Sequence, residues 1–512
     1  GKVIAQIAVA ISVFVLIALR LLGHEFKDSL LFAIVAGLAM VPEGLPAAVS
    51  VALSLGAQRM LKKNALVKKL LHVESLGSVT TICTDKTGTL TTGEMEVVEV
   101  KTEKSKEVDF YHCLILCNNA QLEEKSVGDP LEIALLKYAS FKTLPRPLQK
   151  EYPRLYEIPF SSDRKMMTVV CQEKERAKIF TKGASLDILA HCQVDKKQKE
   201  IIKKQTDEMA QRGLKVLAFA CKSVDRAKNW EQEKNKLERG LEFLGLVGLE
   251  DPPRAGVKEA IEICHQAHIK VHMLTGDYSL TAQAIGKKIG LVTEQTITIE
   301  GSDLHQMDDE KLQHYLQKEV IFARIAPDQK LRIVQNLQQI QEVVAVTGDG
   351  VNDAPALVKA DIGVAMGKVG TDVAKEASDM ILLDDHFATI VFAIQEGRRI
   401  FNNVKKFVFY VYSSNSGELF VALFGLLIGL PLPLIAVQVL AIDLGTDVFP
   451  SLALGVEEGE REAMKRPPHF VNERIMSTPL LVRLFFVGIT MAILALLVFI
   501  FSLYQDLSLI HI

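Results

Sequence analysis

The chain has 512 residues, a formal net charge of −3 at pH 7 and 49% hydrophobic residues. This nearly balanced charge does not suggest a nucleic acid as a partner. The length allows several domains, and long apolar stretches at both ends of a polar middle indicate contact with a lipid bilayer. The seven cysteines have neither zinc-site nor disulfide spacing, so we expect them to pack in the core.

The first two apolar segments, residues 3–22 and 29–56, are each long enough to cross a bilayer. The second contains Pro-Glu-Gly-Leu-Pro at 42–46, and each proline removes a backbone donor and breaks the helix. Broken helix at membrane depth is tolerated where it lines a cavity or is buried in protein. The freed carbonyl groups beside Glu43 therefore favour a cation site, and a simple kink is the alternative.

An apolar run at residues 79–83 predicts a buried strand, and Asp-Lys-Thr-Gly-Thr-Leu-Thr follows it at 85–91. A carboxylate at the carboxyl end of a parallel strand lies where open α/β sheets place their chemistry. Lys86 can neutralise incoming negative charge, and the turn at Gly88 can direct backbone N–H groups at a phosphate. This combination favours Asp85 as an aspartate that is itself phosphorylated.

The region 97–244 interrupts this core and carries four short strings that suit a purine nucleotide. An aromatic face can stack on a base, and lysines can neutralise a polyphosphate. The strings occupy residues 128–132, 159–166, 181–184 and 213–217, and they contain Glu132, Phe160, Lys165, Lys182, Gly183 and Lys215.

The catalytic core resumes near residue 244. A strand predicted at 271–274 ends in Thr-Gly-Asp at 275–277, and another at 343–346 ends in Thr-Gly-Asp-Gly-Val-Asn-Asp at 347–353. Because strands alternate with helices here, we predict a doubly wound, mostly parallel sheet.

Three more apolar segments, 406–430, 432–453 and 480–503, bring the predicted membrane spans to five. Acidic residues inside membrane spans are costly and usually mark an ion path. Carboxylate, amide and hydroxyl oxygens favour a hard cation over a soft transition metal. The polar residues of these spans are Asn415, Glu418, Asp443, Thr446 and Asp447.

Basic residues follow the second span and precede the third, while the short loops between paired spans carry little positive charge. The positive-inside rule then places the polar middle in the cytoplasm. We therefore expect an integral, multi-pass membrane protein with a large cytoplasmic catalytic region.

The string at 85–91 resembles the phosphorylation signature of P-type ATPases. Nearly the whole chain is similar to the class II cation-transporting members, calcium-pump-like with sodium/potassium-pump-like features in one membrane helix. The resemblance implies ATP-driven cation transport across the plasma membrane through an aspartyl phosphate, with ATP and Mg²⁺ as cofactors.

The resemblance also implies the fold class: a multi-domain membrane protein with an α-helical transmembrane bundle and an α/β haloacid-dehalogenase-like phosphorylation domain into which an α+β nucleotide-binding domain is inserted. The expected parts are transmembrane helices in 1–60 (family helices three and four), the phosphorylation domain in 61–96 and 245–397, the nucleotide-binding domain in 97–244, and transmembrane helices in 398–512 (family helices five to seven).

By this resemblance Asp85 accepts the phosphoryl group and holds Mg²⁺ together with Asp349, with Asp353 in support. Thr275 and Lys330 bind the phosphoryl group during its transfer. The remaining residues that the resemblance assigns to this site are Lys86, Thr87, Gly276, Asp277 and Asn352, and Thr87 is also counted among the Mg²⁺ residues.

The resemblance makes Phe160 the residue that stacks on adenine, with Glu132 near the base. Lys165, Lys182 and Gly183 line the pocket. Lys215 stands where the family often has Arg, so a bidentate contact with phosphate is lost there. The transported cation is assigned to Glu43, Asn415, Glu418, Asp443, Thr446 and Asp447.

Thr87 stands where many haloacid-dehalogenase-like phosphatases carry a general acid/base Asp. Without a base beside the acyl phosphate, attack by water is expected to be slow. A long-lived phosphoenzyme suits a pump, because it allows the membrane sites time to change their access.

The sequence supports two identities for the transported ion. The strings at 42–46 and 413–418 look like those of calcium pumps, whereas Asp443, where calcium pumps commonly have Asn, looks more like the sodium/potassium and proton/potassium pumps. Ser414 argues against the proton/potassium type. We favour Ca²⁺ export from the cytoplasm over Na⁺/K⁺ transport.

Two other classes of protein are considered. A membrane-tethered phosphatase of the same catalytic fold is disfavoured by the intramembrane carboxylates and the inserted region, and a non-catalytic scaffold by the intact core residues. The family's actuator domain and its remaining helices are missing from this sequence. We therefore expect the chain to bind ATP but not to complete a transport cycle by itself.

Overall fold

The structure is a computed structural model that describes residues 2–21, 23, 25–39, 44–122, 126–161, 164–225, 230–231, 234–293, 296–459, 462–468 and 477–504. The described strands are β1 Ala65–Val67, β2 Thr81–Asp85, β3 Glu96–Thr102, β4 Arg154–Ser161, β5 Met166–Glu173, β6 Arg176–Ala184, β7 Lys215–Asp225, β8 Glu242–Glu250, β9 Lys270–Leu274, β10 Ile297–Glu300, β11 Val320–Ala323, β12 Val344–Gly348, β13 Ile362–Met366 and β14 Met380–Leu382.

The helices surround two sheets and continue into an apolar bundle. They are α1 Lys2–Leu21, α2 Phe26–Leu38, α3 Leu45–Lys62, α4 Leu71–Gly77, α5 Glu107–Leu116, α6 Pro130–Ser140, α7 Pro145–Glu151, α8 Ser185–His191, α9 Lys196–Gln211, α10 Lys234–Leu237, α11 Val257–Gln266, α12 Ser279–Lys288, α13 Gly301–Gln306, α14 Asp309–Leu316, α15 Pro327–Gln339, α16 Ala354–Lys359, α17 Asp372–Ala377, α18 Phe387–Leu427, α19 Ala436–Ile442, α20 Val448–Val456 and α21 Thr478–Tyr504. A single turn of π-helix lies at Asp443–Asp447, and 3₁₀ turns lie at Lys104–Lys106 and Val351–Asp353. A turn with non-helical backbone at Thr87 and Gly88 spans Lys86–Leu90.

The first sheet has eight described strands in the order β1-β14-β13-β12-β2-β9-β11-β10. Every neighbouring pair is parallel except β1 with β14. Its central strands are buried on both faces, as a parallel sheet covered by helices requires. The mostly parallel α/β sheet that the strand–helix alternation predicts is therefore present.

The second sheet has six described strands in the order β3-β8-β7-β6-β5-β4, and all of its pairs are antiparallel. It is built from residues 96–250, which interrupt the first sheet between β2 and β9. Its packing against α5 includes an edge-to-face contact between Phe110 and Phe219, whose ring centroids lie 5.6 Å apart. The predicted domain boundaries remain predictions, and β8 continues to Glu250, past the boundary at 244.

Among the described residues, two helical segments are long and apolar enough to cross a membrane, Ala436–Val456 and Thr478–Tyr504. The other three of the five predicted spans do not reach that standard. The first has a shorter apolar helix, Ala8–Leu21. The middle of the second, including Glu43, lies outside the described residues, and polar side chains near Asn415 lower the hydropathy of the third.

Helix α18 is 41 residues long, which corresponds to about 60 Å. It reaches from the first sheet into the apolar bundle, and it packs backbone to backbone on α4, the helix that precedes β2. A Cβ atom added to Gly397 would lie 2.5 Å from the Gly77 nitrogen and 2.9 Å from the Val73 carbonyl oxygen. This pair of glycines therefore fixes α18 against the element that leads into Asp85.

We expect Gly397→Ala to lower the free energy of unfolding by about 1–3 kcal/mol, because the new methyl group must push two backbones apart. The measurement is the melting temperature of the purified chain in detergent. Gly455→Ala is the matched control, since this glycine is also helical and its added Cβ would lie 3.4 Å from the Ala52 Cβ, an ordinary contact. Equal melting temperatures for the two variants would contradict the expectation.

Candidate functional site

The carboxyl ends of three adjacent parallel strands meet at one edge of the first sheet. Strand β2 pairs with β12 on one side and with β9 on the other. Asp85 is the last residue of β2, Thr275 follows β9 and Asp349 follows β12. The Asp85 backbone N–H donates to the Thr347 hydroxyl at 3.1 Å, which ties β2 to β12 at this edge.

Lys330, near the start of α15, is the cation at the centre of this edge. Its Nζ atom donates to Asp85 Oδ2 at 2.7 Å and to Asp353 Oδ1 at 2.8 Å. Burial lowers the pKa of the Lys330 ammonium, but the negative charges of Asp85 and Asp353 outweigh burial and raise the pKa to about 12. Lys330 is therefore firmly protonated, and it bridges two of the carboxylates.

The carboxylate of Asp353 also shapes the loop that follows β12. Its Oδ2 atom accepts from the backbone N–H groups of Asp349 and Gly350, each at 3.2 Å. Burial, together with the neighbouring charges of Asp85 and Asp353, raises the pKa of the Asp349 carboxyl. Three carboxylates thus share one lysine, and the excess of negative charge favours an added cation.

The oxygen donors at this edge suit Mg²⁺, which prefers carboxylates and water. No three His, Cys, Asp or Glu side chains within the described ranges already form a cluster that could hold a metal ion. The reason is visible in the contacts, because the Lys330 ammonium lies between Asp85 and Asp353. The donor set fits the ion, and the lysine supplies positive charge at the same place.

The turn after Asp85 spans Lys86–Leu90 and is not helical at Thr87 and Gly88, where Gly88 has a φ angle of +73°. Lys86 is buried and forms an ion pair with Asp277, so it joins the ends of β2 and β9. Asp277 donates its backbone N–H to the Thr275 hydroxyl at 3.1 Å. The other predicted site residues, Thr87, Gly276 and Asn352, lie exposed at the same edge.

No function is predicted for Arg254 from the sequence. The string Asp-Pro-Pro-Arg at 251–254 is the pattern that could have drawn attention to it. Its guanidinium donates to the Gly88 and Thr91 carbonyl oxygens, each at 2.9 Å. The buried Asp251 carboxylate accepts from the Thr91 hydroxyl at 2.5 Å and from the Gly93 N–H at 2.8 Å. These two residues hold the turn that follows Asp85 at the place where the chain passes into and out of the second sheet.

The predicted nucleotide residues gather at one end of the second sheet. Strand register places Ser161 opposite Met166 and Met166 opposite Gly183, so the strand end that carries Phe160 adjoins the one that carries Gly183. The side chain of Phe160 is 62% exposed, which leaves its ring free to stack.

Two lysines complete this strand end, Lys165 in the turn before β5 and Lys215 at the start of β7, and both are exposed. Lys182 is buried instead, and its ammonium lies 2.5 Å from Glu132 Oε1. Glu132 and Lys182 therefore neutralise each other in this structure. A cavity of about 840 Å³ elsewhere in this region is lined by Tyr152 and Arg154 and by none of the predicted residues.

In the apolar bundle, α18 and the α19–α20 segment bury four of the predicted cation ligands, Asn415, Glu418, Asp443 and Asp447. The Asn415 amide and both Glu418 carboxylate oxygens have no hydrogen-bond partner among the described residues. Such buried polar atoms are costly unless something binds them. Ser414 of α18 also hydrogen-bonds Asp447, so the two segments meet at these residues.

Thr446 lies at the margin of this buried set, with its hydroxyl 3.4 Å from Asp447 Oδ1. It lies in the π-helical turn Asp443–Asp447, which is wider than an α turn, and its exposed hydroxyl donates to the Ile442 carbonyl oxygen at 2.7 Å. Its own carbonyl oxygen accepts from the Tyr410 hydroxyl at 2.7 Å. The wider turn brings Asp443 and Asp447 onto the buried face and turns the Thr446 side chain outward.

Comparison with known proteins gives matches to two family models. The model described as "P-type ATPase, cytoplasmic domain N" matches residues 108–256, and the model described as "Cation transporting ATPase, C-terminus" matches residues 431–509. The first match covers most of the second sheet, and the second covers α19 to α21.

Curated relatives match along nearly the whole chain. A calcium-transporting ATPase of Bacillus subtilis is 39% identical over 94% of this chain and 59% of its own length. Calcium-transporting ATPase 1 of Bacillus cereus is 38% identical over 98% and 59%. The sodium/potassium-transporting ATPase subunit alpha-4 of Rattus norvegicus is 37% identical over 93% and 54%. The chain thus spans less than two thirds of each relative.

We expect Lys330→Met to destabilise the chain by about 3 kcal/mol, because three carboxylates lose the buried charge that faces them. Added Mg²⁺ should restore part of the loss, since a divalent cation supplies positive charge at the same place. The melting temperature with and without Mg²⁺ tests this. Lys311→Met, at an exposed lysine of α14, is the control, and a similar response of both variants would contradict the expectation.

Proposed function

Because this chain belongs to the P-type ATPase family, we propose that it is the catalytic and membrane part of an ATP-driven cation pump. The observation that carries the proposal is the position of Asp85 at the end of β2, where its Oδ2 atom accepts a hydrogen bond from Lys330 Nζ at 2.7 Å. We propose a multi-pass position in the plasma membrane and a haloacid-dehalogenase-like phosphorylation domain.

In the proposed reaction, an Asp85 carboxylate oxygen attacks the γ-phosphorus of ATP in line with the bond to the β-phosphate. A new P–O bond forms an acyl phosphate, and the old P–O bond breaks with ADP carrying away the electron pair. Lys330 and Thr275 bind the oxygens of the transferring group and offset its negative charge. The ion pair between buried Lys86 and the partly exposed Asp277 joins the ends of β2 and β9 beside these residues.

We propose that Asp85, Thr87, Asp349 and Asp353 hold Mg²⁺, with Gly276 and Asn352 beside them. When bound, Mg²⁺ neutralises charge on the phosphoryl oxygens. The crowding of three carboxylates around Lys330 supports this assignment, because an added cation relieves their repulsion. Thr87 offers no general base, so hydrolysis of the acyl phosphate is expected to be slow.

We propose that ATP binds at the end of the second sheet, with adenine stacked on Phe160 and Glu132 near the base. Lys165, Gly183 and Lys215 lie at the same strand ends, where the phosphates extend. Lys182 is paired with Glu132 in this structure. Nucleotide binding at this place therefore exchanges one ion pair for contacts with the ligand.

We propose that the transported cation binds at Asn415, Glu418, Asp443 and Asp447, with Glu43 and Thr446 as further candidates. The buried amide and carboxylate oxygens of Asn415 and Glu418, which lack hydrogen-bond partners among the described residues, support a cation in this place. Calcium export is favoured, as the names of the bacterial relatives agree with it. A Na⁺/K⁺-type pump is the second candidate, supported by Asp443 and by the sodium/potassium-transporting relatives.

We expect the purified chain to take up acid-stable label from γ-labelled ATP, and Asp85→Asn to remove that label, because an amide cannot form the acyl phosphate. Asp225→Asn, at an exposed aspartate of β7, is the control and should be labelled like the wild type. Slow decay of the label in a chase with unlabelled ATP supports a pump, whereas rapid turnover points to a tethered phosphatase. Label that persists in Asp85→Asn refutes Asp85 as the acceptor.

We expect Ca²⁺ to stimulate this labelling more than Na⁺ or K⁺ does. We also expect Glu418→Gln to raise the cation concentration for half-maximal labelling by at least about tenfold, because the variant loses a charged ligand. The experiment is a titration of phosphoenzyme against each cation. Glu458→Gln, at an exposed glutamate beyond α20, should leave the titration unchanged. Stimulation by Na⁺ and not by Ca²⁺ would favour the second candidate.

A further inference from the structure

The loop between β13 and α17 lies directly against the phosphorylation edge. A Cβ atom added to Gly88 would lie 3.9 Å from the Val369 side chain, so the loop covers the turn that follows Asp85. At the end of the loop, the Thr371 backbone N–H donates to the Asp349 carbonyl oxygen at 2.8 Å. The position of this loop therefore affects both the turn at Gly88 and the backbone of Asp349.

One carboxylate outside the site holds the loop. Asp385, between β14 and α18, is 1% exposed, and its Oδ1 atom accepts from the N–H groups of Gly367 at 2.7 Å and Lys368 at 2.9 Å. Its Oδ2 atom accepts from the Val369 N–H at 3.0 Å. Hydrogen bonds to an ionised acceptor are about twice as strong as neutral ones, so three of them fix successive peptide groups.

The backbone at Asp385 is itself unusual. Its φ angle is +57°, in the left-handed region that non-glycine residues seldom occupy. Such a conformation has an energetic cost of about 1–3 kcal/mol and persists where the surroundings determine it. The Asp385 carboxylate faces the loop between β13 and α17, whose N–H groups are the only backbone donors that the described contacts give it.

We propose that Asp385 is a positioning residue for phosphoryl transfer. Its carboxylate sets the β13–α17 loop, and the loop in turn sets Asp349 through Thr371 and the Gly88 turn through Val369. Asp385 does not touch the reacting atoms. This inference rests on the proposed function, in which Asp349 is a Mg²⁺ residue and Asp85 the phosphoryl acceptor.

The test is Asp385→Asn, which is a close replacement because asparagine also tolerates a positive φ angle. The amide keeps the size of the side chain, but its NH₂ group must face at least one loop N–H that formerly met an oxygen. Asp384→Asn is the matched control. The Asp384 carboxylate accepts from the Thr389 hydroxyl at 2.8 Å and from the His386 N–H at 3.1 Å, at the start of α18 and away from the loop.

The readout is the Mg²⁺ concentration that gives half-maximal labelling from γ-labelled ATP in the purified chain. Loss of an outer partner of a metal ligand typically weakens metal binding or activity by 10–100-fold, so we expect an increase of at least about tenfold for Asp385→Asn. The wild type and Asp384→Asn should share one lower value. A residue with a purely structural role would lower the melting temperature without moving the Mg²⁺ midpoint.

The possible outcomes separate this inference from the proposed function. An unchanged Mg²⁺ midpoint in a folded Asp385→Asn overturns the positioning role while leaving the pump intact. If the wild type takes up no label, the proposed phosphorylation fails, and the Mg²⁺ dependence of the melting temperature then tests Asp385 on its own, with the same midpoint shift expected.

A second measurement covers the case in which Asp385→Asn does not fold. In the wild type, Mg²⁺ with beryllium fluoride, which mimics a phosphoryl group on an aspartate, should slow hydrogen exchange at the Gly367, Lys368 and Val369 amides by several-fold. Exchange at the Gln198 amide, which donates to the Asp195 carboxylate at the start of α9 and lies apart from the loop, is the internal reference. Loop amides that do not respond to site occupancy would overturn the proposal.

Discussion

The arrangement of the sheet edge at Asp85 depends on one balance of charge, in which the Lys330 ammonium group faces three carboxylates. Parallel strands place their carboxyl ends side by side, so Asp85 and Asp349 are brought together by the sheet, and Asp353 adds a third negative charge. Lys330 binds Asp85 and Asp353 at hydrogen-bond distance, and its raised pKa keeps it charged. The result is a site with more negative than positive charge, which favours the binding of an added cation.

A second constraint joins this edge to the apolar bundle. Helix α18 is continuous from the first sheet to Asn415 and Glu418, and it meets α4 at the two glycines with no side chain between the backbones. Because close backbone contact leaves little room for sliding, this contact fixes α18 on α4, the helix that precedes the strand carrying Asp85. Further along the chain α18 contacts the segment in which Asp443 and Asp447 are buried.

Much of the catalytic edge could be predicted from the sequence, because a buried apolar run followed by a polar string is a local pattern. Asp85, Thr275 and Asp349 were all placed at strand ends in this way. Residues whose roles depend on contacts distant in sequence could not be found from such local patterns. Asp385 is one of two adjacent aspartates, and only the tertiary structure distinguishes the one that faces the β13 loop. The local π turn is likewise not visible in the sequence, and it leaves Thr446 exposed beside the buried Asp447.

The pairing of β2 has a consequence for the order in which the molecule folds. Thr81 pairs with Lys270 on one side and with Val344 on the other, and neither neighbour exists until the whole second sheet has been synthesised. The strands of the second sheet need no partner outside residues 96–250, because β3 and β8 at its two chain ends pair with each other. During synthesis the second sheet can therefore fold first. Strand β2, which carries Asp85, stays unpaired until β9 and β12, its distant neighbours in sequence, have been synthesised. Asp251 and Arg254, which follow the second sheet, then bind the turn at Gly88 and Gly93 that precedes it. These contacts close the loop formed by the second sheet, so that β9 returns to β2 at low entropic cost.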